Sequence, residues 1–293
     1  MKLKHINIKS VALLSTVSLI AVSNAQTTFT FINPGGNLET PAFWQNETDG
    51  TTGALPQSGD IAIINVDSLI NETGALGLQT GGNLIFGGGS EIDAVVDFVA
   101  ARPDSVTFND VTVIADDDIF TGAVTGNYFF NAGSVTQVDD DFEANAGGTI
   151  TINGGTHMVG LMSPNVGNFG AQNNSTLNFL GGTVTTDVFR TDGANATVNL
   201  GGDATITADT ISLAPNGILN ISSDWTGSIT TNTPTNFEDL FVDLVFLDDV
   251  LIDEATFNEN FQIIDGVFSS IPEPSAAMLG GLGLLGLLRR RRM

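Results

Sequence analysis

A chain of 293 residues has room for one large or two ordinary domains, and this one carries 33 Asp and Glu against nine Lys and Arg, 34 glycines and no cysteine. Three lysines (Lys2, Lys4, Lys9) sit at the start and four arginines at the end, so the stretch between them holds only Arg102 and Arg190 against all 33 acids, a formal charge of −31. This excludes a basic phosphate-binding groove and with it nucleic acid as a partner, the lack of cysteine excludes disulfide scaffolds, thiolate metal sites and thiol nucleophiles, and 42% hydrophobic residues argue against disorder.

Residues 1–25 read as a secretory signal peptide. The three lysines form the positive n-region, and Val11 to Ala21 supplies an apolar run that is short for a stable membrane span. Ser23 and Ala25 are small residues at the positions cleavage requires, so the expected cut falls between Ala25 and Gln26.

Residues 26–60 are expected to form an N-terminal cap. Phe43-Trp44, then Pro56-Gln57-Ser58-Gly59-Asp60 and the apolar Ile61-Ala62-Ile63 resemble the opening of autotransporter-like β-helical surface proteins. The resemblance covers about 25 residues and implies that a β-helix begins there.

Residues 61–231 repeat. Short apolar–x–apolar segments end at Ile64, Phe86, Phe108, Phe130, Ile152, Phe179, Leu200 and Ile221, with spacings of 22, 22, 22, 22, 27, 21 and 21. The one long interval predicts a loop insertion around Met162–Asn174. Each unit holds two or three short strands of period-two character between Gly, Asn and Asp turns, and none holds a crossover helix. A unit this small cannot bury its own inner face, whereas stacked units can. The fold expected is therefore all-β: a single-stranded parallel β-helix, or β-solenoid, of about eight coils, with a sandwich of regular turns as the competing architecture.

Few groups in the repeat can do chemistry. His157, the one histidine past the signal peptide, falls in a Gly-rich stretch and reads as a surface or turn residue. No HExxH, GxSxG or P-loop pattern occurs, so no catalytic residue is assigned and the chain is read as a non-enzyme. The carboxylate runs Asp116, Asp117, Asp118 and Asp139, Asp140, Asp141 lie 23 positions apart, about one coil. Stacked, they would repel, and a hard cation such as Ca²⁺ would relieve the repulsion. Solvated turns screened by salt are the alternative reading, so no cofactor is assigned. A polysaccharide hydrolase would need a carboxylate pair of this kind, and Trp44, Trp225 and Tyr128 are the only Trp and Tyr available to stack on sugar. Thr183, Thr185, Thr205 and Thr207 would line one face if they point outward, the pattern an ice- or glycan-binding solenoid would show.

Residues 232–270 change character. Phe237, Leu240, Phe241 and Leu244 fit helical spacing and Val242 to Phe246 fits a strand equally well; the segment reads as a C-terminal cap of either type.

Residues 271–293 read as an address. Pro272, Glu273 and Pro274 fix an extended segment. Fourteen residues from Ser275 to Leu288 carry no charge, and Arg289, Arg290, Arg291 and Arg292 follow. As a helix the apolar run reaches ~21 Å, a short transmembrane tether with its arginines on the cytoplasmic side. The Pro-Glu-Pro, the Gly/Leu-rich run and the terminal Arg cluster together resemble the PEP-CTERM sorting signal of Gram-negative bacteria. The resemblance implies recognition by exosortase, an integral-membrane cysteine protease-transpeptidase, with an inner-membrane-tethered intermediate and removal of the tail. It implies the cell surface or exopolysaccharide matrix as destination, with exopolysaccharide or neighbouring surface proteins as eventual partners.

Overall fold

The computed structural model describes residues 26–57, 59–70, 83–94, 98–99, 105–120, 126–160, 166–232, 237 and 244–271. The expected signal peptide and the sorting tail from Pro272 onward lie outside the described residues.

The chain winds into a β-solenoid whose coils pair in parallel along three ladders. The first ladder contains every apolar segment expected from the period. Ile64 pairs with Phe86, Phe86 with Phe108, and Phe108 with Phe130. The ladder then runs through Ile152, Phe179, Leu200 and Ile221. Alternate residues point inward, giving the buried pairs Leu84/Phe86, Val106/Phe108, Tyr128/Phe130 and Ile150/Ile152. Because equivalent positions stack, aromatic side chains meet their own kind: Phe86 and Phe108 rings lie 5.3 Å apart, and Phe108 and Phe130 rings 4.3 Å apart, both stacked.

The second ladder runs from Gly36–Asn37 and Ser68–Ile70 through Glu91–Ala94, Thr112–Ala115, Val135–Val138 and Thr156–Val159 to Thr205–Ala208 and Ser228–Thr231. The third is shorter. It comprises Phe98–Val99, Ile119–Phe120, Phe142–Ala144, Asn168–Gln172, Val188–Asp192 and the strand ending at Leu213. Among the described residues about six turns carry all three strands, against the eight coils expected.

Two details differ from the reading of the sequence. The extra residues of the long interval lie before the third-ladder strand: Val159 to Phe169 takes ten positions where Val138 to Phe142 takes four. Asn168–Gln172 is a strand paired on both sides, so only the first part of 162–174 is insertion, with 161–165 outside the described residues. The ladder also begins earlier than the first expected coil. Thr28–Phe31 pairs in parallel with Ile61–Ile64, while Trp44–Asn46 pairs with Thr28–Phe31 antiparallel and closes the edge. Covering such an edge removes a template for further strand addition.

Outward amides form a second set of ladders. Asn131 Nδ2 donates to Asn109 Oδ1 (2.7 Å) and Asn153 Nδ2 to Asn131 Oδ1 (2.8 Å). Asn199 donates to Asn178 (2.7 Å), and Asn220 to Asn199 (3.0 Å). An amide has both donor and acceptor, so one coil's acceptor meets the next coil's donor without conflict.

Both ends are sealed around a tryptophan. Trp44 is fully buried and its indole N–H donates to Leu38 O (2.7 Å); Trp225 does the same to Ala204 O (2.9 Å). The C-terminal cap combines helix and strand. Asp253 caps helix Glu254–Asn260 by accepting from Thr256 N–H (2.9 Å), an N-cap arrangement. Phe261–Ile264 and Val267–Ser270 form a hairpin that pairs antiparallel with Ser228–Thr231. Phe237, Phe257, Phe261 and Phe268 pack with Trp225 into one apolar plug.

Replacing Phe130 by alanine removes a ring stacked on Phe108 and set edge-on to Phe142. It should cost about 3–5 kcal/mol, read as a lowered midpoint in urea unfolding followed by circular dichroism.

Candidate functional site

The functional side chains gather on the outward face of the third ladder, at the coils where it is best formed. In one column stand Asp118, Asp141 and Asn168, each the residue at or just before the start of its strand. In the next stand Glu143, Gly170 and Arg190, which are in register.

The first column shows what corner carboxylates do. Asp118 Oδ1 accepts the backbone N–H of Asp141 (2.8 Å), and Asp141 Oδ1 accepts that of Asn168 (2.8 Å) and its side-chain amide (2.6 Å). Asp67 likewise accepts from Glu91 N–H (2.9 Å) and Asp187 from Gly167 N–H (2.9 Å). Each carboxylate thus satisfies a backbone donor of a neighbouring coil where the regular ladder is interrupted.

The stacked runs place three carboxylates together: Asp117, Asp118 and Asp140 each offer an oxygen within 4.8 Å of the other two. Asp117 is exposed and the other two are half-buried. Burial pushes the Asp118 carboxyl up to about 7, against the hydrogen bond from Asp141 N–H and with help from the charges of Asp141, Asp117 and Asp140. Asp140 is raised by burial and by Asp141, with Arg190 opposing. The donor set is all oxygen and suits a hard divalent cation. Asp116 is exposed and Asp139 half-buried, and neither belongs to this trio, while Asp141 is turned toward Asn168 and Arg190.

The second column holds a feature that the spacing of the sequence does not suggest. Glu143 is completely buried although it points outward from its strand. Arg190 reaches it from two coils away, Nε on Oε1 at 2.5 Å and a terminal nitrogen on Oε2 at 2.9 Å. A further contact joins Arg190 to Asp141 at 3.5 Å, and the Gln172 amide donates to Glu143. The intervening residue in register is Gly170, which contributes no side chain to the space the guanidinium crosses. A Cβ there would lie 1.8 Å from Arg190 O, so the backbones pack closely as well. Burial raises the Glu143 carboxyl, while the bidentate guanidinium and the Gln172 amide act the other way; the bond to Glu143 also raises Arg190.

His157 is not a surface or turn residue. It lies on strand Thr149–Val159, fully buried, in register with Thr136 below and Val184 above. Nδ1 is 2.9 Å from Thr136 Oγ1 and Nε2 is 3.2 Å from Gly154 O. Burial lowers its pKa to about 4, so the ring is neutral at pH 7, donates to the Gly154 carbonyl and accepts from the Thr136 hydroxyl. A solvent-facing nucleophile or ligand role is closed to it.

Thr183 and Thr185 are exposed, in register with half-buried Thr205 and Thr207, then Ser228 and Thr230. Two uncharged hydroxyl columns therefore run along the upper part of the second ladder.

The expected sorting residues (Pro272, Glu273, Pro274, Arg289, Arg290, Arg291, Arg292) and Ala25 lie outside the described residues; Gln26 is exposed. No helix among the described residues is long and apolar enough to cross a membrane. Residues 270–292 match the family model for the PEP-CTERM protein-sorting motif. No curated protein and no solved structure matches the chain. The chain therefore carries a PEP-CTERM motif that begins at Ser270, the last residue of strand Val267–Ser270, and the motif marks an exported protein processed at the membrane by exosortase.

Arg190→Ala should cost about 3–5 kcal/mol, because it strands a buried carboxylate. Adding Glu143→Gln to that variant should recover part of the loss in the same urea titration. For Asp118, a folded pKa above the ordinary value means that the group's stabilising contribution is complete below about 3.8 and is lost as pH rises through about 7. Wild type should therefore lead Asp118→Asn by more at pH 4 than at pH 8 in paired unfolding curves.

Proposed function

We propose that this chain is an exported β-solenoid that serves as a structural or adhesive component of the bacterial cell surface or extracellular matrix, released there after exosortase removes its tail. The observation that carries this reading is the sorting motif at residues 270–292, which begins at the last residue of the cap hairpin strand Val267–Ser270. A capped ladder, and a formal charge of −31 between the terminal basic clusters, both oppose self-association, as such a component requires. The role is non-catalytic. The only described histidine has both ring nitrogens engaged inside the core, and Arg190 is committed to Glu143. A polysaccharide hydrolase acting through Asp117, Asp118 and Asp140 is the enzymatic alternative.

The hydroxyl columns through Thr183/Thr185 and Thr205/Thr207 favour a second reading, an uncharged face for ice or glycan. Outward threonine is also ordinary on a β-ladder, so this reading stands behind the first.

Substituting Pro272, Glu273 and Pro274 together by alanine should leave full-length chain in the membrane fraction of an exosortase-bearing host, detected by mass spectrometry of its C-terminus. A trimmed, surface-located product from that variant would overturn the sorting assignment.

A further inference from the structure

The outward face of the first ladder is uncharged. Its nine rungs run from Thr28–Phe31 to Ile218–Ile221, and none holds an acidic or basic residue, in a chain with 33 acids. By contrast, Glu91 and Asp93 are exposed on the second ladder and Asp192 on the third. Carboxylates return only in the connections beside the face, as at Asp60, Asp110 and Asp203.

One outward column of this face changes character halfway. Ile63, Ile85 and Phe129 lie half-buried in its lower part. Asn178, Asn199 and Asn220, also half-buried, occupy its upper part. Asn199 donates one N–H to Asn178 and accepts one from Asn220. A primary amide has two N–H groups and two lone pairs, so Asn199 keeps one of each for a ligand. The ladder also holds that amide in place, so little ordering cost remains for binding. The column ends at Asn220, whose amide is engaged by Asp249.

Shape and charge select the occupant. Nine rungs of two outward columns, at ~4.8 Å by ~6.8 Å per position, cover roughly 600 Å². Each partner in a standard protein–protein interface gives about 800 Å². The strip is also about three times longer than it is wide by the same spacings, which suits a thread-like polymer. An anionic thread meets the flanking carboxylates and finds no cation to hold it. A neutral sugar chain offers apolar ring faces to the Ile and Phe side chains and hydroxyl edges to the amides.

We propose that the first-ladder face binds a neutral polysaccharide laid along the solenoid axis. The proposal rests on the reading of the chain as a matrix component and names the polymer class and the face that holds it. That face is distinct from the hydroxyl columns of the second ladder.

Affinity electrophoresis tests it. Full-length chain, made in a host without exosortase and purified in detergent, would be run in native gels cast with mixed-linkage β-glucan, dextran or galactomannan, and with alginate as the anionic comparison. Mobility is normalised to a polymer-free gel. Retardation is expected from at least one neutral polymer and not from alginate. Phe129→Ala and Asn199→Ala should each weaken the binding about tenfold, equivalent to about 1.4 kcal/mol. The second-ladder variant Thr183→Ala/Thr205→Ala should bind as wild type does. Retardation by no neutral polymer, or by alginate equally, overturns the proposal. So does binding that is lost in the Thr183→Ala/Thr205→Ala chain and kept in the other two, or a dimer in sedimentation that Phe129→Ala dissociates. Should Phe129→Ala or Asn199→Ala fail to fold, Thr107→Glu decides. Thr107 is a half-buried outward residue between Ile85 and Phe129, and a carboxylate there should abolish retardation; unchanged retardation overturns the proposal. No sorting protease takes part, so failure of this binding and failure of the sorting assignment are read separately.

Discussion

Parallel, in-register pairing of one coil on the next is the constraint that everything else in this protein obeys. Adjacent rungs lie ~4.8 Å apart, so each side chain's nearest neighbour is the residue one coil away in the same column. Like therefore stacks on like, and what that means depends on chemistry. Phe86, Phe108 and Phe130 gain ring stacking and burial together. Asn178, Asn199 and Asn220 gain a hydrogen bond at each step. Aspartate gains nothing from aspartate, and the fold deals with this by giving each corner carboxylate a backbone N–H on a neighbouring coil. Where three carboxylates still converge, at Asp117, Asp118 and Asp140, burial raises the protonation range of Asp118 and the neighbouring charges add to it.

The same constraint requires the ends to differ from the middle. A parallel ladder has no natural stop, and each terminus of this one reverses direction. Trp44–Asn46 runs antiparallel on the first strand, and Val267–Ser270 runs antiparallel on the last second-ladder strand. Each reversal is locked by an indole N–H to a backbone carbonyl under an aromatic plug. The amide column through Asn178, Asn199 and Asn220 ends in the same way. Asn220 donates to Asp249 Oδ1 (2.7 Å) and accepts from Asp249 N–H (2.9 Å), so the last amide finds a partner within the cap.

The first ladder was legible in the sequence because its apolar segments recur at a nearly constant interval, and every one of them is buried in register. The third ladder was not. Its strands are as short as Ile119–Phe120, and their distance from the second ladder changes by six positions at the insertion. Glu143 and Arg190 are 47 positions apart across that insertion, so no fixed period aligns them. The available signal was of another kind: one arginine lying far inside an acidic repeat should be engaged by acid. His157 was misplaced for a related reason. Gly154 and Gly155 suggest a turn, yet both lie within an eleven-residue strand, Thr149–Val159, that carries the chain from the first ladder to the second. The position one coil below His157 is Thr136, a polar inward residue able to receive it.

Arg190, the only arginine among the described residues, also explains how so acidic a coil tolerates a buried carboxylate. An ion pair facing solvent contributes little, whereas breaking a buried one is costly because it strands a charge. Glu143 is the only fully buried acid among the described residues, and Arg190 is the basic residue that meets it. The pair spans three successive coils at the place where the insertion interrupts the regular interval, with Gly170 clearing the space between. Hydrophobic residues there would be compatible with a shift of one rung against the next. A bidentate guanidinium is not, because its two hydrogen bonds are made in one register only. The buried pair is thus best understood as setting alignment where periodicity cannot, and it places the strand after the insertion back on the ladder that the upper coils, the cap and the sorting tail all follow.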